Sequence, residues 1–314
     1  MKKTAFLFPG QGSQSVRMMS DLAAGFSQVK RTFEEASSVL GYDLWAVVEH
    51  GPAEELNRTE VTQPAMLVSG IATWRIWRDL GGDQPDYLAG HSLGEYAALV
   101  AAGVMQFSDA VSIVAERGRL MQQATPAGTG AMAAVLGLDG HVLSQICNQV
   151  AGDGVVVCAN FNAPGQVVIS GHKDAVETAG ELARQAGARR VLPLPVSVPS
   201  HCVLMKPAAA KLRELLLDVH FSDSSLPVIQ NADVRSYADA EQVREALARQ
   251  LWQPVRWTET IQSLLGSGVS RFIECGPGKV LAGLNRRIAK QAAVFALVGH
   301  DEIKAAMRAE ENDE

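Results

Sequence analysis

Residues 85–102 read Pro85-Asp86-Tyr87-Leu88-Ala89-Gly90-His91-Ser92-Leu93-Gly94-Glu95-Tyr96-Ala97-Ala98-Leu99-Val100-Ala101-Ala102. A short apolar run, Tyr87–Ala89, meets a G-x-S-x-G pentapeptide, and an alanine-rich segment then predicts a helix from Gly94 to about Ala102. Strand, sharp turn and helix make the elbow that lifts a serine hydroxyl to the top of a sheet. Gly90 and Gly94 remove side chains where strand and helix cross closely, so Ser92 can take a strained backbone conformation. A helix opening just past the serine aims N–H groups and a positive dipole end at a developing oxyanion. The same residues also fit a tight turn with a structural serine, and the pentapeptide alone does not separate the two readings.

Outward from the elbow, strands and helices alternate. Ala5–Phe8 reads as a first strand ending in the loop Pro9-Gly10-Gln11-Gly12-Ser13-Gln14. Pro64 suits a first helical turn and Gly81-Gly82 a stop, which predicts a helix from Pro64 to Asp79 or Leu80. Ser108 reads as the N-cap of a helix reaching about Met121. Further on, Lys206–Leu217 and Val280–Lys290 read as helices, Val228–Asn231 and Phe272–Glu274 as strands, and Asp233–Gln242 as a surface connection. This order predicts a mainly parallel sheet covered on both sides.

Between Gly128 and Leu194 the rhythm changes. Strand Ala131–Leu138, helix His141–Val150, strands Val155–Asn160 and Gln166–Ser170, helix Asp174–Ala186 and strand Arg190–Leu194 follow in turn. That is βαββαβ, the ferredoxin-like pattern, flanked by turn-rich segments. The fold expected is a large α/β domain, residues 1–126 and 199–314, with a ferredoxin-like insert at 127–198.

Bulk properties narrow the function classes. At 314 residues the chain can bury a sizeable core. Its 28 basic and 34 acidic residues leave a net charge of −6, which argues against a nucleic-acid partner. Lys2-Lys3 before an apolar run resembles a signal peptide, but the run stops at Pro9, too early for a signal or a membrane span. The four cysteines, Cys147, Cys158, Cys202 and Cys275, form no C-x-x-C pair. They suggest reduced thiols in a cytoplasmic protein, with no metal site.

A serine nucleophile needs a base, and seven histidines compete. His91 is next to Ser92, so an extended backbone turns it the other way. His201 sits in the proline-braced segment Val198-Pro199-Ser200-His201-Cys202, where the chain leaves the insert, and clefts between domains favour substrate sites. His300 is the rival, since many serine hydrolases keep their histidine late in the chain. The loop Gly10–Ser15 fails as a nucleotide fingerprint because Ser15 stands where glycine is needed. It reads as a source of N–H groups for an oxyanion, or as a plain turn. In the helix after Ser108, Arg117 falls inside the apolar stripe of Ala110, Ile113, Val114, Leu120 and Met121, while Arg119 lies on the polar side. A core-facing arginine needs an anionic partner. Either an internal carboxylate pairs with it, or a ligand carboxylate does so in a bidentate fork.

Taken together, Phe8-Pro9-Gly10-Gln11-Gly12-Ser13-Gln14, Thr62-Gln63-Pro64-Ala65, Gly90-His91-Ser92-Leu93-Gly94-Glu95, Arg117-Gly118, Pro199-Ser200-His201 and Gly276-Pro277-Gly278-Lys279 resemble, in order and spacing, the malonyl-CoA:acyl-carrier-protein transacylases. The resemblance runs from Phe6 to about Ile288. It implies an α/β-hydrolase-like large domain with a ferredoxin-like insert, matching the order outlined above, with Ser92 as nucleophile and His201 as base. It further implies that the Gln250 backbone carbonyl orients His201, and that the N–H groups of Gln11 and Leu93 form an oxyanion hole. Arg117 would grip the malonyl carboxylate, Gln63 and His91 would line the pocket, and Asn160 and Asn162 would approach the pantetheine arm.

The activity so implied is ping-pong transfer of malonyl from malonyl-CoA to the phosphopantetheine thiol of acyl carrier protein, through a serine ester. No metal or redox cofactor is expected, and neither is a membrane; a monomer is. Arg286, Arg287 and Lys290, with Arg189, Arg190 and Lys206, are candidates for a basic face toward an acidic carrier. Free-standing length favours fatty-acid synthesis over a polyketide pathway with broader acyl choice. A serine hydrolase or esterase is the competing class, with an acidic residue between Ser92 and a late histidine and no use for Arg117.

Overall fold

The computed structural model describes residues 2–311 except 127, 153, 197 and 225. The strands β1 (Lys3–Phe8), β2 (Tyr87–Gly90), β3 (Gly130–Leu136), β4 (Val156–Ala163) and β5 (Gln166–His172) come first. They are followed by β6 (Arg190–Pro193), β7 (Val228–Ile229), β8 (Val269–Glu274) and β9 (Ala293–Ala296).

One sheet has the order β7-β2-β1-β8-β9 with every neighbouring pair parallel. Parallel neighbours require crossovers, and the helices that supply them bury both faces of the sheet. In the central β1 the two-residue period divides the side chains: Phe6 and Phe8 enter one core, Ala5 and Leu7 the other. Phe6 meets Trp74 and Trp77 edge-on at ring distances of 5.3 and 5.2 Å.

The helix expected from Pro64 begins earlier and spans Thr59–Asp79, with Pro64 inside it. Only the bond from residue 64 to the Glu60 carbonyl is lost there, close enough to the start for the helix to continue. The next expected helix runs from Phe107 to Gln123 behind an extended Gln106, so Ser108 is not its N-cap. Burial of Phe107 anchors that start in place of a hydroxyl cap. Helices Ser20–Gly25, Ser27–Leu40, Leu44–His50 and Ala53–Leu56, absent from the sequence reading, fill the span after β1. The segment 233–242 is a connection only as far as Asp239, where the helix Ala240–Gln250 starts.

The second sheet has the order β4-β5-β3-β6 and is antiparallel throughout. With the helices Gly140–Val150 and Lys173–Gln185 it is the expected βαββαβ unit, with its own core of Val135, Leu143, Ile146, Ile169 and Val176. The expected boundary residue Ala127 lies outside the described residues. The two connections run side by side: a Cβ on Gly130 would strike the Pro199 ring. Strand β4 is also held to the larger body, by Phe161 N–H to the Val255 carbonyl and Val255 N–H to the Ala159 carbonyl, both 2.9 Å. Among the described residues no helix is long and apolar enough to cross a membrane.

Candidate active site

The elbow forms where β2 ends. A Cβ on Gly90 would overlap the Gly94 carbonyl, and one on Gly94 would overlap that of Phe8, so both crossings demand glycine. Ser92 itself has φ of 51°, the left-handed region that costs a non-glycine residue roughly 1–2 kcal/mol. The helix Gly94–Ala101 starts immediately after it. The loop after β1 packs onto this turn, with His91 N–H donating to the Phe8 carbonyl at 2.9 Å. Among the described residues, the backbone N–H groups of Gln11 and Leu93 have no acceptor.

His201, with φ of 61°, sits across the site. Its Nε2 lies 2.8 Å from Ser92 Oγ. Its Nδ1 faces two carbonyls, Gln250 at 2.8 Å and Gln253 at 3.2 Å. Carbonyl oxygens only accept, so Nδ1 carries the proton and Nε2 presents a lone pair to the serine. Burial, then the nearby Arg117 charge, pushes the His201 imidazole down to about 3. The ring is therefore neutral and can take a proton from Ser92 over the whole ordinary pH range.

Arg117 is 1% exposed and has no carboxylate within salt-bridge distance among the described residues. Its Nη1 donates to Gln63 Oε1 at 2.8 Å and its Nη2 to Gln250 Oε1 at 2.9 Å. Nη2 also lies 3.4 Å from Ser92 Oγ, and Nε has no partner. The internal ion pair that the sequence left open is absent among the described residues. Neutral amides and the Tyr96 ring, 5.7 Å from the guanidinium carbon, are what hold the cation. Burial lowers its proton affinity, partly offset by Tyr96 and Glu95. Arg119 pairs with Glu116 on the exposed side, as its place on the helix predicts.

Gln63 donates to Met121 Sδ at 3.4 Å, which fixes its carboxamide with the oxygen toward Arg117. His91 Nε2 lies 2.8 Å from Asn162 Oδ1, and its ring tilts against Trp257 at 5.4 Å. Asn160 is buried on the same strand, where β4 bridges Val255. Gln250 is used twice: its backbone carbonyl faces His201, and its side chain joins Arg117 to the Ser92 carbonyl, Nε2 to O 2.9 Å. His300 is elsewhere, against the Phe26 ring at 5.2 Å and Asp21. Cys202 is turned to the Pro199 carbonyl at 3.1 Å.

Two residues of the site had no reading in the sequence. Asn231 and Glu95 are buried behind Ser92 and bond to the elbow and to each other. A Gln-Asn pair closing an apolar strand, and a carboxylate in the first turn of an alanine-rich helix, were the available signals. Among the described residues no group of three or more histidine, cysteine or acidic side chains could hold a metal ion.

Fold and site define an α/β protein that carries a serine paired with a neutral histidine beside a buried arginine with no carboxylate at salt-bridge distance among the described residues. The chain belongs to the acyl transferase domain family, whose model matches residues 5–311. It is 54% identical over 297 residues to the malonyl CoA-acyl carrier protein transacylase of Salmonella typhimurium, covering 95% of this chain and 96% of that one. The crystal structure of an acyl carrier protein S-malonyltransferase from Vibrio cholerae superposes with a TM-score of 0.94 at 54% identity, covering 97% and 99% of the two chains. A malonyl-transacylase solved in complex with a holo type II polyketide-synthase acyl-carrier protein matches with a TM-score of 0.96 at 51% identity, covering 98% and 99%.

Proposed function

We propose that the protein moves a malonyl group from malonyl-CoA to the phosphopantetheine thiol of acyl carrier protein through an ester on Ser92. The observation that carries this reading is Arg117: a buried cation with amide partners, a free Nε and a serine hydroxyl at 3.4 Å. A carboxylate two bonds from a thioester carbonyl fits both groups at once, and a guanidinium fork suits it better than lysine would. His201 Nε2 takes the Ser92 proton as Oγ attacks the thioester carbonyl. The oxyanion is held by the N–H groups of Gln11 and Leu93, and the proton leaves with the CoA thiol. The carrier thiol then attacks the ester and regenerates Ser92. Thioester, ester and thioester are exchanged without redox change or metal, so the main selectivity problem is keeping water from the ester. Gln63 and His91 line the acyl pocket, and Asn160 and Asn162 on β4 are assigned to the pantetheine arm.

The remaining assignments belong to the same reading. Residues 1–126 and 199–314 form the catalytic domain and 127–198 the insert; the protein works in the cytoplasm as a monomer. The adjacent Arg189 and Arg190, with Arg287 from a distant part of the chain, line one open cavity of about 680 Å³, a basic surface suited to an acidic carrier. Lys206 is turned instead over the Trp252 ring, 4.8 Å from its centre. Fatty-acid synthesis is the pathway proposed. A 51% identical neighbour bound to a polyketide carrier favours, as a second reading, a protein that accepts such carriers too.

Intact-mass measurement after mixing with malonyl-CoA tests the central step. One added malonyl group is expected on the wild type and none on Ser92→Ala. A wild type that stays unmodified, or a Ser92→Ala variant that gains the mass, refutes the ester.

A further inference from the structure

Behind Ser92 the elbow is held by a side chain that the reaction scheme does not use. Asn231, just past β7, is 1% exposed. Its carboxamide spans the turn: Oδ1 accepts from the Ser92 N–H at 2.6 Å, and Nδ2 donates to the Gly90 carbonyl at 2.5 Å. The two partners fix its orientation, since one can only donate and the other only accept. The Asn231 backbone N–H in turn donates to Glu95 Oε2 at 2.8 Å, and Glu95 is fully buried in the first turn of the helix that the elbow opens. Strand end, nucleophile and helix start are thus tied to one residue from a distant part of the chain.

Two consequences follow for the chemistry. The left-handed backbone of Ser92 is a conformation that surrounding structure must over-determine, and the Asn231 bonds at both ends of the turn do so. The Ser92 N–H is also committed. In many serine acyl-transfer sites the nucleophile's own N–H serves the oxyanion; here Asn231 occupies it, which leaves Gln11 and Leu93 as the open donors.

We propose that Asn231, anchored by Glu95, is a positioning residue for acyl transfer: it sets the Ser92 hydroxyl on His201 and withholds the Ser92 N–H from the oxyanion. The proposal rests on the Ser92 ester described above. The charged groups facing this cluster are Arg117 and Asp233, and Asp233 is itself paired with Arg249 at 2.6 Å. Burial raises the Glu95 carboxyl to about 7, so the oxygen that receives the Asn231 N–H serves in both protonation states.

The test is the single-turnover rate of Ser92 acylation by malonyl-CoA, read by intact mass, on wild type and variants from pH 5.5 to 8. Asn231→Asp keeps the shape and the acceptor for Ser92 N–H, but its carboxylate cannot donate to the Gly90 carbonyl until it is protonated. At pH 8 acylation should slow about 100-fold, the scale of a small misplacement of a nucleophile. The concentration of malonyl-CoA giving half the maximal rate should stay within about threefold, since Arg117 and Gln63 are untouched. On acidification the deficit of Asn231→Asp should shrink roughly tenfold, while that of Asn231→Ala should not. Glu95→Gln, which keeps an acceptor oxygen, should acylate roughly tenfold faster than Glu95→Ala. Wild-type rates in Asn231→Ala, or no acid recovery in Asn231→Asp, overturn the proposal. If Asn231→Ala does not fold, Asn231→Asp decides alone. A wild type that never acquires the malonyl mass removes the ester reading itself, whereas normal labelling of every variant removes only the positioning role.

Discussion

Arg117 brings a full charge into a site where its contacts are two amides, a hydroxyl and an aromatic ring. The proposed ligand supplies the missing anion, so Arg117 should matter more for the acyl group than for the serine. In Arg117→Ala, malonyl transfer should fall on the order of 10²- to 10³-fold, the scale of truncating one partner of a buried charge pair. Acetyl-CoA, with no carboxylate to place, should lose much less. A panel of acyl-CoA donors with mass readout checks this, and an unchanged malonyl-to-acetyl ratio would remove the role. At this scale the sequence was informative where a residue broke its local pattern. Ser92 between glycines, Arg117 on an apolar stripe and His201 among prolines all stood out. Asn231 did not, because its importance comes from a contact 139 positions away that no local pattern carries. The side chain of Gln250 was equally hidden: its carbonyl was assigned by resemblance, and its carboxamide gave no signal.

Among the elements, the helices Thr59–Asp79 and Phe107–Gln123 decide how Gln63 meets Arg117. They cross where a Cβ on Gly118 would overlap the backbone of Thr59 and Glu60. Gly118→Ala forces the pair apart, an overpacking that costs about 1–3 kcal/mol. We expect a melting temperature lower by about 2–5 °C and a higher KM for malonyl-CoA, since Gln63 no longer reaches the guanidinium. Calorimetry with steady-state kinetics checks both, and a stable variant with unchanged KM would refute the crossing as the cause. The βαββαβ unit was readable because its short apolar strands are set off by turn-rich flanks and its helices carry clear apolar faces. The helices between residues 20 and 56 were missed, although in Ser27–Leu40 the buried Val29, Thr32, Phe33 and Ala36 recur at helical spacing. The short helices Ser20–Gly25, Leu44–His50 and Ala53–Leu56 owe their shape to tertiary packing rather than to a local pattern. Pro64 misled in the same way, since a rule about first turns gave way to burial on nearly all sides of its helix.

For the molecule as a whole, four buried groups shape stability against pH. Burial raises the Glu95 and Glu274 carboxyls to about 7, so between about 4.5 and 7 the folded state keeps protons that the unfolded chain has lost. Over that window these two make stability fall as pH rises. His91 is lowered by burial and His201 is lowered to about 3, so below the ordinary 6.5 the unfolded chain binds protons that the folded state refuses. Those two make stability fall as pH drops. The slopes oppose one another between about 4.5 and 6.5, where melting temperature should change little; below 4.5 the His201 slope remains, and Glu259 and Glu302, held low by Arg256 and Lys279, add to it in the same direction. Melting curves from pH 3.5 to 8 check this, with Glu274→Gln expected to flatten the decline between 6.5 and 7; a steady rise with pH across the acid range, without a plateau, would contradict it. Arg117 adds something that no titration shows. An arginine held by amides has no carboxylate at salt-bridge distance among the described residues, and a bound malonyl carboxylate would supply one. The substrate would then pack as part of the core, so that binding it also stabilises the fold.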